Sequence, residues 1–226
     1  MSGTGAGRRF PRCVLFDLDG TLLDSAPDMA ATIDRMRAAR GAPPMPLAEI
    51  RQHVSRGARA MSAAAFPELG GEVPPGMVKE FLAVYSEELG RHGAAFDGIE
   101  AMLAALEADG VRWGIVTNKP ESLARALMPL LGWETRSAVL VGGDTLAERK
   151  PHPLPLLHAA EALGFAPEDC VYVGDDERDI LAARAAGMRS IAALWGYRLQ
   201  HDDPLTWQAD AMLAWPADML DPDAWP

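Results

Sequence analysis

Short apolar runs alternate with longer segments of helical periodicity along this chain. Five runs stand out, at residues 12–17, 112–117, 138–142, 170–174 and 190–194. Each is followed by polar or glycine-containing residues, which is typical of strands that are buried on both faces and end at a polar edge. In the segments between these runs, apolar residues recur at the spacing of an α-helix. The pattern therefore predicts an α/β fold with a parallel sheet flanked by helices.

Two helices of this layout are indicated by their apolar spacing and their ends. One has apolar residues at positions i, i+3, i+4 and i+7, which are Ile99, Met102, Leu103 and Leu106. Gly110 follows them and is a typical helix stop. The other helix runs from about Asp176 to Gly187, and Asp176 is suited to cap its N-terminus.

A long helical insertion separates the first predicted strand from the second. About 90 residues lie between them, whereas a crossover between parallel strands usually needs only about a dozen or more. Two helices in this stretch are indicated by Met29, Ile33 and Met36 and by Val78, Phe81, Leu82, Tyr85 and Leu89. Clusters of proline and glycine punctuate them. We therefore predict a helical subdomain at residues 23–94, inserted into a core formed by residues 1–22 and 95–226.

The charge of the chain is strongly negative but unevenly distributed. The 226 residues include 32 acidic and 21 basic side chains, for a net charge of −11. Phosphate backbones are bound by a surplus of Lys and Arg, so the composition argues against nucleic-acid binding as the main role. Residues 23–94 carry 8 basic and 9 acidic groups, whereas residues 200–226 carry six Asp and no Lys or Arg. Much of the acidity therefore belongs to the tail and says little about the substrate.

Cysteine usage and hydropathy bear on the location of the protein. Cys13 and Cys170 each lie in an apolar run without ligand spacing, so we interpret them as buried free thiols. No run approaches the roughly 18 to 20 apolar residues of a membrane-spanning helix, and the N-terminus does not resemble a signal peptide. We expect a cytoplasmic protein with no membrane partner, either a monomer or a homodimer. The acidic tail has no evident purpose, and its tryptophans could pack on the sheet edge: Trp207, Trp215 and Trp225.

Polar side chains that can carry chemistry follow several predicted strands. In open parallel sheets, ligands bind beyond the carboxyl ends of the strands. The motifs at these ends are Asp17-Leu18-Asp19-Gly20-Thr21, Thr117-Asn118-Lys119 and Gly174-Asp175-Asp176, with Lys150 shortly after the third strand. Carboxylates crowded at one edge repel each other and need a cation or a shared proton. Mg²⁺ fits this edge, because it is usually held by one or two carboxylates and a substrate phosphate.

Taken in order, these motifs resemble those of the haloacid dehalogenase superfamily of phosphatases. The resemblance is carried by Asp17-x-Asp19-Gly20-Thr21, then Thr117, then Lys150, then Gly174-Asp175-Asp176-x-x-Asp179. It covers roughly residues 11–200, and four motifs in the family's order make it specific. It implies a Rossmann-like core, and the helical insertion is similar to that family's C1-type cap.

The resemblance implies a role for each matched residue. Asp17 would be the nucleophile that forms an aspartyl-phosphate, and Asp19 the general acid and base. Thr117 and Lys150 would hold the non-bridging phosphate oxygens. Gly20 and Asn118 would bind the substrate. Mg²⁺ would be bound by Asp17, by Asp175 and by the backbone carbonyl of Asp19. Asp176 and Asp179 would contact these ligands without binding the metal themselves. Alternatively, Asp176 would only cap a helix.

Shorter stretches are similar to particular branches of the superfamily. Residues 21–25, 118–120 and 150–153 resemble the phosphoglycolate phosphatases. Residues 54–61 are similar to the bacterial N-acetylmuramic acid 6-phosphate phosphatases of peptidoglycan recycling. The implied partner is a small phosphorylated metabolite, and both candidates carry a carboxylate. Arg56 could bind this carboxylate through two hydrogen bonds; alternatively, it could be a solvated surface charge.

Two rival functions stay open at this point. A sugar phosphomutase shares the fold, the nucleophile and the cap, but returns the phosphoryl group to a sugar. A non-catalytic binding protein could also keep the fold, although the set of polar residues at the strand ends is intact. We further expect the insertion to close over the site, with hinges near residues 22–25 and 93–98.

Overall fold

The computed structural model describes residues 9–199 and 201–226 and contains eight strands in these ranges. The strands are, in chain order, β1 (Cys13–Phe16), β2 (Leu23–Asp24), β3 (Ala94–Ala95), β4 (Arg112–Val116), β5 (Leu140–Val141), β6 (Cys170–Gly174), β7 (Arg189–Ala193) and β8 (Ala211–Leu213). Six of them form one sheet in the order β5-β4-β1-β6-β7-β8, and all neighbouring pairs are parallel. The predicted α/β class and parallel sheet are confirmed.

Helices flank this sheet and fill the insertion. They are α1 (Ala26–Ala38), α2 (Leu47–Arg51), α3 (Gly57–Ala65), α4 (Met77–Glu88), α5 (Ile99–Ala108), α6 (Glu121–Leu131), α7 (Leu154–Leu163) and α8 (Glu177–Ala186). The two helices predicted from their spacing and ends are α5 and α8. None of the helices in the described ranges is long and apolar enough to cross a membrane.

The sheet is buried on both faces because alternate residues of each strand pack on opposite layers. Val14 and Phe16 of β1 face a core that includes α5. Cys13 and Leu15 face the other core, which includes α7 and α8. Both cysteines are free and buried, as predicted. This two-sided burial explains why the central strands are continuous apolar runs.

The C-terminal tail contains a strand that was not predicted from the sequence, and two of its three tryptophans pack on the fold. It adds β8, which pairs with β7 in parallel, Ile191 opposite Ala211. Trp207 is buried in a small cluster with Ile180 and Ala192, and Trp225 packs edge-on against Phe10 with ring centroids 6.1 Å apart. Trp215 instead stays 66% exposed. The third apolar run also forms a shorter strand than predicted, because only two of its residues pair with β4.

The helical insertion leaves and rejoins the rest of the chain through a two-stranded antiparallel ribbon. Leu23 of β2 pairs with Ala95 of β3, and Asp24 pairs with Ala94. Between these strands, α1 to α4 enclose an apolar cluster of their own, which includes Ile33, Met61 and Phe81. The division into a core of residues 1–22 and 95–226 and a cap of residues 23–94 stays a prediction, with β2 and β3 at its two boundaries.

A buried carboxylate ties the two ends of the insertion together. Asp28, near the start of α1, accepts hydrogen bonds from the backbone N–H groups of Gly90, His92 and Gly93 at 2.8, 2.7 and 3.0 Å. These donors all lie in the segment that follows α4. The contact fixes the segment after α4 against the beginning of α1.

Candidate active site

The candidate site is built on the carboxyl ends of three neighbouring strands. Asp17 follows β1, Thr117 follows β4 and Asp175 follows β6, and these strands are adjacent in the sheet. The backbone N–H of Asp17 still donates to Val173 at 2.9 Å, and that of Thr117 to Val141 at 2.9 Å. The strand pairing therefore continues one residue beyond β1 and β4 and holds Asp17 and Thr117 at the sheet edge.

Lys150 brings a buried positive charge to the Asp17 side chain. Its Nζ lies 3.0 Å from Asp17 Oδ1 and 2.7 Å from Asp179 Oδ1, and it donates to the Tyr172 hydroxyl at 2.7 Å. Burial by itself would lower the pKa of this lysine, but the charges of Asp17 and Asp179 outweigh burial and raise the pKa. The ammonium therefore stays charged beside the predicted nucleophile.

Three carboxylates form a cluster next to Lys150. Asp17, Asp175 and Asp179 each offer an oxygen, and these oxygens lie within 4.8 Å of one another. Burial, followed by the charges of Asp17 and Asp179, raises the pKa of Asp175 well above its usual range. Burial also raises the pKa of Asp179, to about 6, although Lys150 opposes the shift. The crowded oxygens fit a divalent metal ion, which would offset the repulsion that a proton relieves in its absence.

Asp175 is held in place by three donors from distant parts of the chain. Thr21 Oγ1 donates to one carboxylate oxygen at 2.9 Å, while the Tyr197 N–H and Ser55 Oγ donate to the other at 2.9 and 3.1 Å. Gly20 lies against the same carboxylate with φ +88°, and a Cβ there would come within 2.2 Å of Asp175 Oδ2. The structure therefore gives Gly20 a steric reason for being glycine, and its role in substrate binding stays a prediction.

The Asp19 carboxylate pairs with Lys119, apart from the acidic cluster. Lys119 Nζ lies 3.0 Å from each carboxylate oxygen of Asp19 and donates to the Tyr85 hydroxyl at 2.5 Å. Lys119 belongs to a motif that resembles the family, but it was not among the site residues predicted from the sequence. Its position two residues after Thr117, at a strand end, was a signal that could have identified it. The predicted metal contact through the Asp19 carbonyl stays a prediction.

Asn118 lies at the rim of the site with one open hydrogen-bonding atom. Its Nδ2 donates to the backbone carbonyl of Lys150 at 2.9 Å. Its Oδ1 is buried and has no hydrogen-bond partner among the residues that the structure describes. A buried polar atom without a partner is costly, so this oxygen is suited to accept a hydrogen bond from a bound ligand.

A cavity of about 350 Å³ opens between the strand ends and the insertion. Its floor includes Asp17, Asp19, Thr117, Asn118 and Lys150. Its opposite wall is contributed by the insertion and is partly apolar, with Val54, Val78, Phe81 and Leu82. Arginines also line it: Arg56, Arg59, Arg149 and Arg178. The volume lies in the range of cavities that hold small molecules, roughly 300 to 1,000 Å³.

Arg56 lines this cavity, but its guanidinium is engaged with the C-terminal segment. Its Nη2 lies 2.9 Å from Asp202 Oδ2, and the Arg56 side chain is 40% exposed. It stands in a single 3-10 turn, Val54–Arg56, followed by Gly57 with φ +79°. The structure thus brings the predicted carboxylate-binding residue to the cavity and gives it a competing acidic partner.

Asp176 and Arg178 connect the sheet edge to the insertion. Asp176 caps α8 by accepting from the Arg178 N–H at 3.0 Å, and its own N–H donates to Asp179 at 3.1 Å. Both carboxylate oxygens of Asp176 also bind the Arg178 guanidinium, at 2.8 and 2.9 Å. Arg178 in turn donates to the backbone carbonyl of Ser55. Asp176 is therefore a helix cap that also orients Arg178, which was not among the site residues predicted from the sequence.

The sequence of the chain is similar to those of bacterial phosphatases. A model of the family described as haloacid dehalogenase-like hydrolase matches residues 11–187. The chain is 62% identical to the phosphoglycolate phosphatase of Xanthomonas campestris pv. campestris over 218 residues, 96% of this chain and 99% of that protein. It is 45% identical to the N-acetylmuramic acid 6-phosphate phosphatase of Pseudomonas aeruginosa over 212 residues, 93% of each chain.

The fold is similar to that of a solved structure as well. The crystal structure of a predicted phosphoglycolate phosphatase from Haemophilus somnus superimposes with a TM-score of 0.82 at 26% sequence identity. The match covers 95% of this chain and 98% of that chain. The similarity therefore extends over the sheet, the insertion and the tail.

Proposed function

The chain belongs to the haloacid dehalogenase-like hydrolases and is a phosphatase, and from this premise we propose that it is a Mg²⁺-dependent phosphomonoesterase that works through an aspartyl-phosphate. One observation carries the proposal. The Asp17 carboxylate lies 3.0 Å from the buried ammonium of Lys150 and shares the sheet edge with two further carboxylates. A nucleophile, a fixed cation and a fitting set of oxygen ligands are the parts that phosphoryl transfer requires.

In the first step, a carboxylate oxygen of Asp17 forms a bond to phosphorus while the ester P–O bond breaks. Asp19 donates a proton to the departing alkoxide. In the second step, Asp19 takes a proton from the water that attacks phosphorus, the bond between Asp17 and phosphorus breaks, and inorganic phosphate leaves. Thr117 and Lys150 bind the non-bridging oxygens through both steps.

Mg²⁺ would be held by Asp17, Asp175 and the carbonyl oxygen of Asp19, with Asp179 beside them. When bound, it would supply positive charge that offsets the repulsion between the phosphate and the carboxylates. The chain itself orients this set. Thr21, Ser55 and the backbone of Tyr197 fix the Asp175 carboxylate by three hydrogen bonds, so the ligand oxygens are aligned before any metal binds.

We propose a small phosphorylated acid as the substrate, either N-acetylmuramate 6-phosphate or 2-phosphoglycolate. The relatives named for these two compounds support the pair, and the size of the cavity favours the larger compound. The apolar wall formed by Val78, Phe81 and Leu82 suits the methyl groups of the acetamido and lactyl substituents of such an amino sugar. Arg56 would bind the carboxylate that both compounds carry, and Asn118 Oδ1 would accept from a substrate hydroxyl.

Phosphate release from a panel of esters tests the proposal. The panel holds N-acetylmuramate 6-phosphate, 2-phosphoglycolate and hexose phosphates, each with Mg²⁺ and with EDTA. We expect Mg²⁺-dependent release of phosphate from at least one of the two acids, and a loss of at least about 1,000-fold in Asp17→Asn with an unchanged circular dichroism spectrum.

Other outcomes identify the rival functions. Conversion of a sugar phosphate to its isomer, without inorganic phosphate, would identify a phosphomutase. Failure to hydrolyse any ester in the presence of Mg²⁺ would favour a binding protein with this fold. Near-normal turnover in Asp17→Asn would rule out the aspartyl-phosphate mechanism.

A further inference from the structure

Lys119 has a fixed backbone at the edge of the site. Its N–H donates to Thr117 Oγ1 at 3.2 Å, and its carbonyl accepts from the Gly143 N–H at 2.8 Å. Its side chain is only 3% exposed. A lysine with both backbone groups bonded and its stem buried has little freedom, so the position of its ammonium is set by the fold.

The ammonium of Lys119 uses its whole donor capacity on two side chains. A lysine has three N–H donors. Two contacts, both 3.0 Å, go to the two carboxylate oxygens of Asp19, and the third, 2.5 Å, goes to the Tyr85 hydroxyl. The ammonium also lies 4.5 Å from the centroid of the Tyr85 ring. Symmetric contact with both oxygens fixes the orientation of the Asp19 carboxylate as well as its distance.

The partners of Lys119 come from opposite sides of the cavity. Asp19 follows β1 at the sheet edge, whereas Tyr85 lies on α4 of the insertion and is buried against Phe81, with ring centroids 6.0 Å apart. The contacts from Asp19 to Lys119 to Tyr85 therefore run from the sheet to the insertion. Displacement of α4 would remove one of the three bonds that hold the ammonium.

Direct binding of the phosphoryl group is a poorer role for this lysine. Lys150 already stands beside Asp17, where the phosphoryl group is transferred, while the donors of Lys119 are committed elsewhere. Its place is beside the carboxylate that must face the leaving oxygen and the water.

We propose that Lys119 is a positioning residue for Asp19, and that Tyr85 makes this positioning depend on docking of the insertion. The inference rests on the proposed function, because it takes Asp19 as the general acid and base. During the reaction one Asp19 oxygen stays on Lys119, while the other moves off the lysine, gives its proton to the leaving oxygen and later accepts one from water. Lys119 keeps its three protons throughout.

Pre-steady-state kinetics of Lys119→Met with two kinds of ester tests the inference. A poor leaving group, such as an alkoxide, needs the proton from Asp19, whereas 4-nitrophenolate leaves without one. With 4-nitrophenyl phosphate we expect a rapid burst of about one 4-nitrophenol per enzyme, followed by slow turnover, because only the hydrolysis of the intermediate needs Asp19. With the alkyl ester we expect kcat to fall about 100-fold without a burst and with little change in KM.

Three variants serve as controls. Asp19→Asn should show the same burst and slow turnover, and adding Lys119→Met to it should change the rates by less than about threefold, because the lysine acts through Asp19. Lys119→Arg keeps a cation that can bind a carboxylate and should restore part of the activity. Tyr85→Phe removes only the hydroxyl and should show the same burst with a smaller decrease in later turnover. This variant replaces Lys119→Met in the experiment if Lys119→Met does not fold.

The outcomes separate this inference from the proposed function. If the wild-type protein hydrolyses no phosphate ester, the proposed function is wrong. If the wild type is active and Asp19→Asn is impaired, but Lys119→Met slows the burst as much as the later turnover, the lysine has a structural role only. An increase in KM with unchanged kcat would instead make Lys119 a substrate-binding residue and overturn the inference.

Discussion

Arg56, which lines the cavity, forms an ion pair with Asp202 of the C-terminal segment. The Nη2 to Oδ2 distance is 2.9 Å, and 146 positions separate the two residues in the chain. Asp202 Oδ2 also accepts from the Leu199 N–H at 3.2 Å, which orients it toward Arg56. A substrate carboxylate that binds Arg56 therefore competes with the Asp202 carboxylate for the guanidinium.

Removal of this competing charge should tighten the binding of acidic substrates. In Asp202→Asn we expect KM for a phosphorylated acid to fall by up to about fivefold with kcat unchanged, because a partly exposed ion pair is worth at most about 1 kcal/mol. Steady-state kinetics with an acidic ester and a neutral hexose phosphate measures this. Asp223→Asn removes an equal charge elsewhere in the tail and should have no effect. A higher KM in Asp202→Asn would mean that Asp202 positions Arg56 productively.

The acidic cluster predicts that stabilisation by Mg²⁺ depends on pH. The pKa of Asp179 is raised to about 6, and that of Asp175 is raised well above its usual range. At pH values between the ordinary carboxyl pKa and these raised pKa values, the folded protein therefore binds more protons than the unfolded chain. Without metal, the free energy of unfolding therefore falls as pH rises through this interval. Metal binding needs the ionised carboxylates and should grow stronger over the same interval.

Thermal melting with and without Mg²⁺ measures this dependence. We expect a larger increase in Tm at about pH 7.5 than at about pH 5, because protons compete for the same oxygens at the lower value. In Asp175→Asn the increase should be lost at both pH values. An equal increase at both, or one that persists in Asp175→Asn, would place the Mg²⁺ site elsewhere.

Asp28 should be critical for stability although it lies outside the catalytic cavity. Asp28→Ala would leave the three N–H groups of Gly90, His92 and Gly93 without their acceptor. Asp28 itself is fully buried, and each hydrogen bond to a buried charged group is worth about 1 kcal/mol or more, so we expect the free energy of unfolding to fall by about 3 kcal/mol or more. Asp34→Ala removes a single bond, to the Met45 N–H, and should cost about 1 kcal/mol. Urea denaturation measures the free energy of unfolding of both variants. Equal losses would contradict the role of Asp28 as the shared acceptor of three hydrogen bonds.

The tail should contribute to the stability of the sheet. Trp207 is buried against Ile180 of α8 and Ala192 of β7, so Trp207→Ala should lower the free energy of unfolding by roughly 3 kcal/mol. Trp215 is 66% exposed, and Trp215→Ala should change it by no more than about 0.5 kcal/mol. Chemical denaturation followed by circular dichroism measures both. Equal effects would mean that Trp207 is not packed as the structure shows.

Local pattern was enough to predict the α/β sheet and which residues follow its strands. A strand buried on both faces must be apolar throughout, and parallel strands end at the same edge, so the sequence indicated that Asp17, Thr117 and Asp175 would lie together. Their order along the chain also identified the family. These features depend on periodicity and on the residue at each strand end, both of which are local properties of the chain.

Partners far apart in sequence were decided by the tertiary structure alone. The pairs Asp19 with Lys119 and Arg56 with Asp202 are separated by 100 and 146 positions, and β8, with only three residues, is too short to be recognised without β7 beside it. A charged residue has many possible partners in the sequence, and only packing determines which one lies within hydrogen-bonding distance. The sequence alone determined which polar groups follow the strands, and the fold decided how the insertion and the tail contact them.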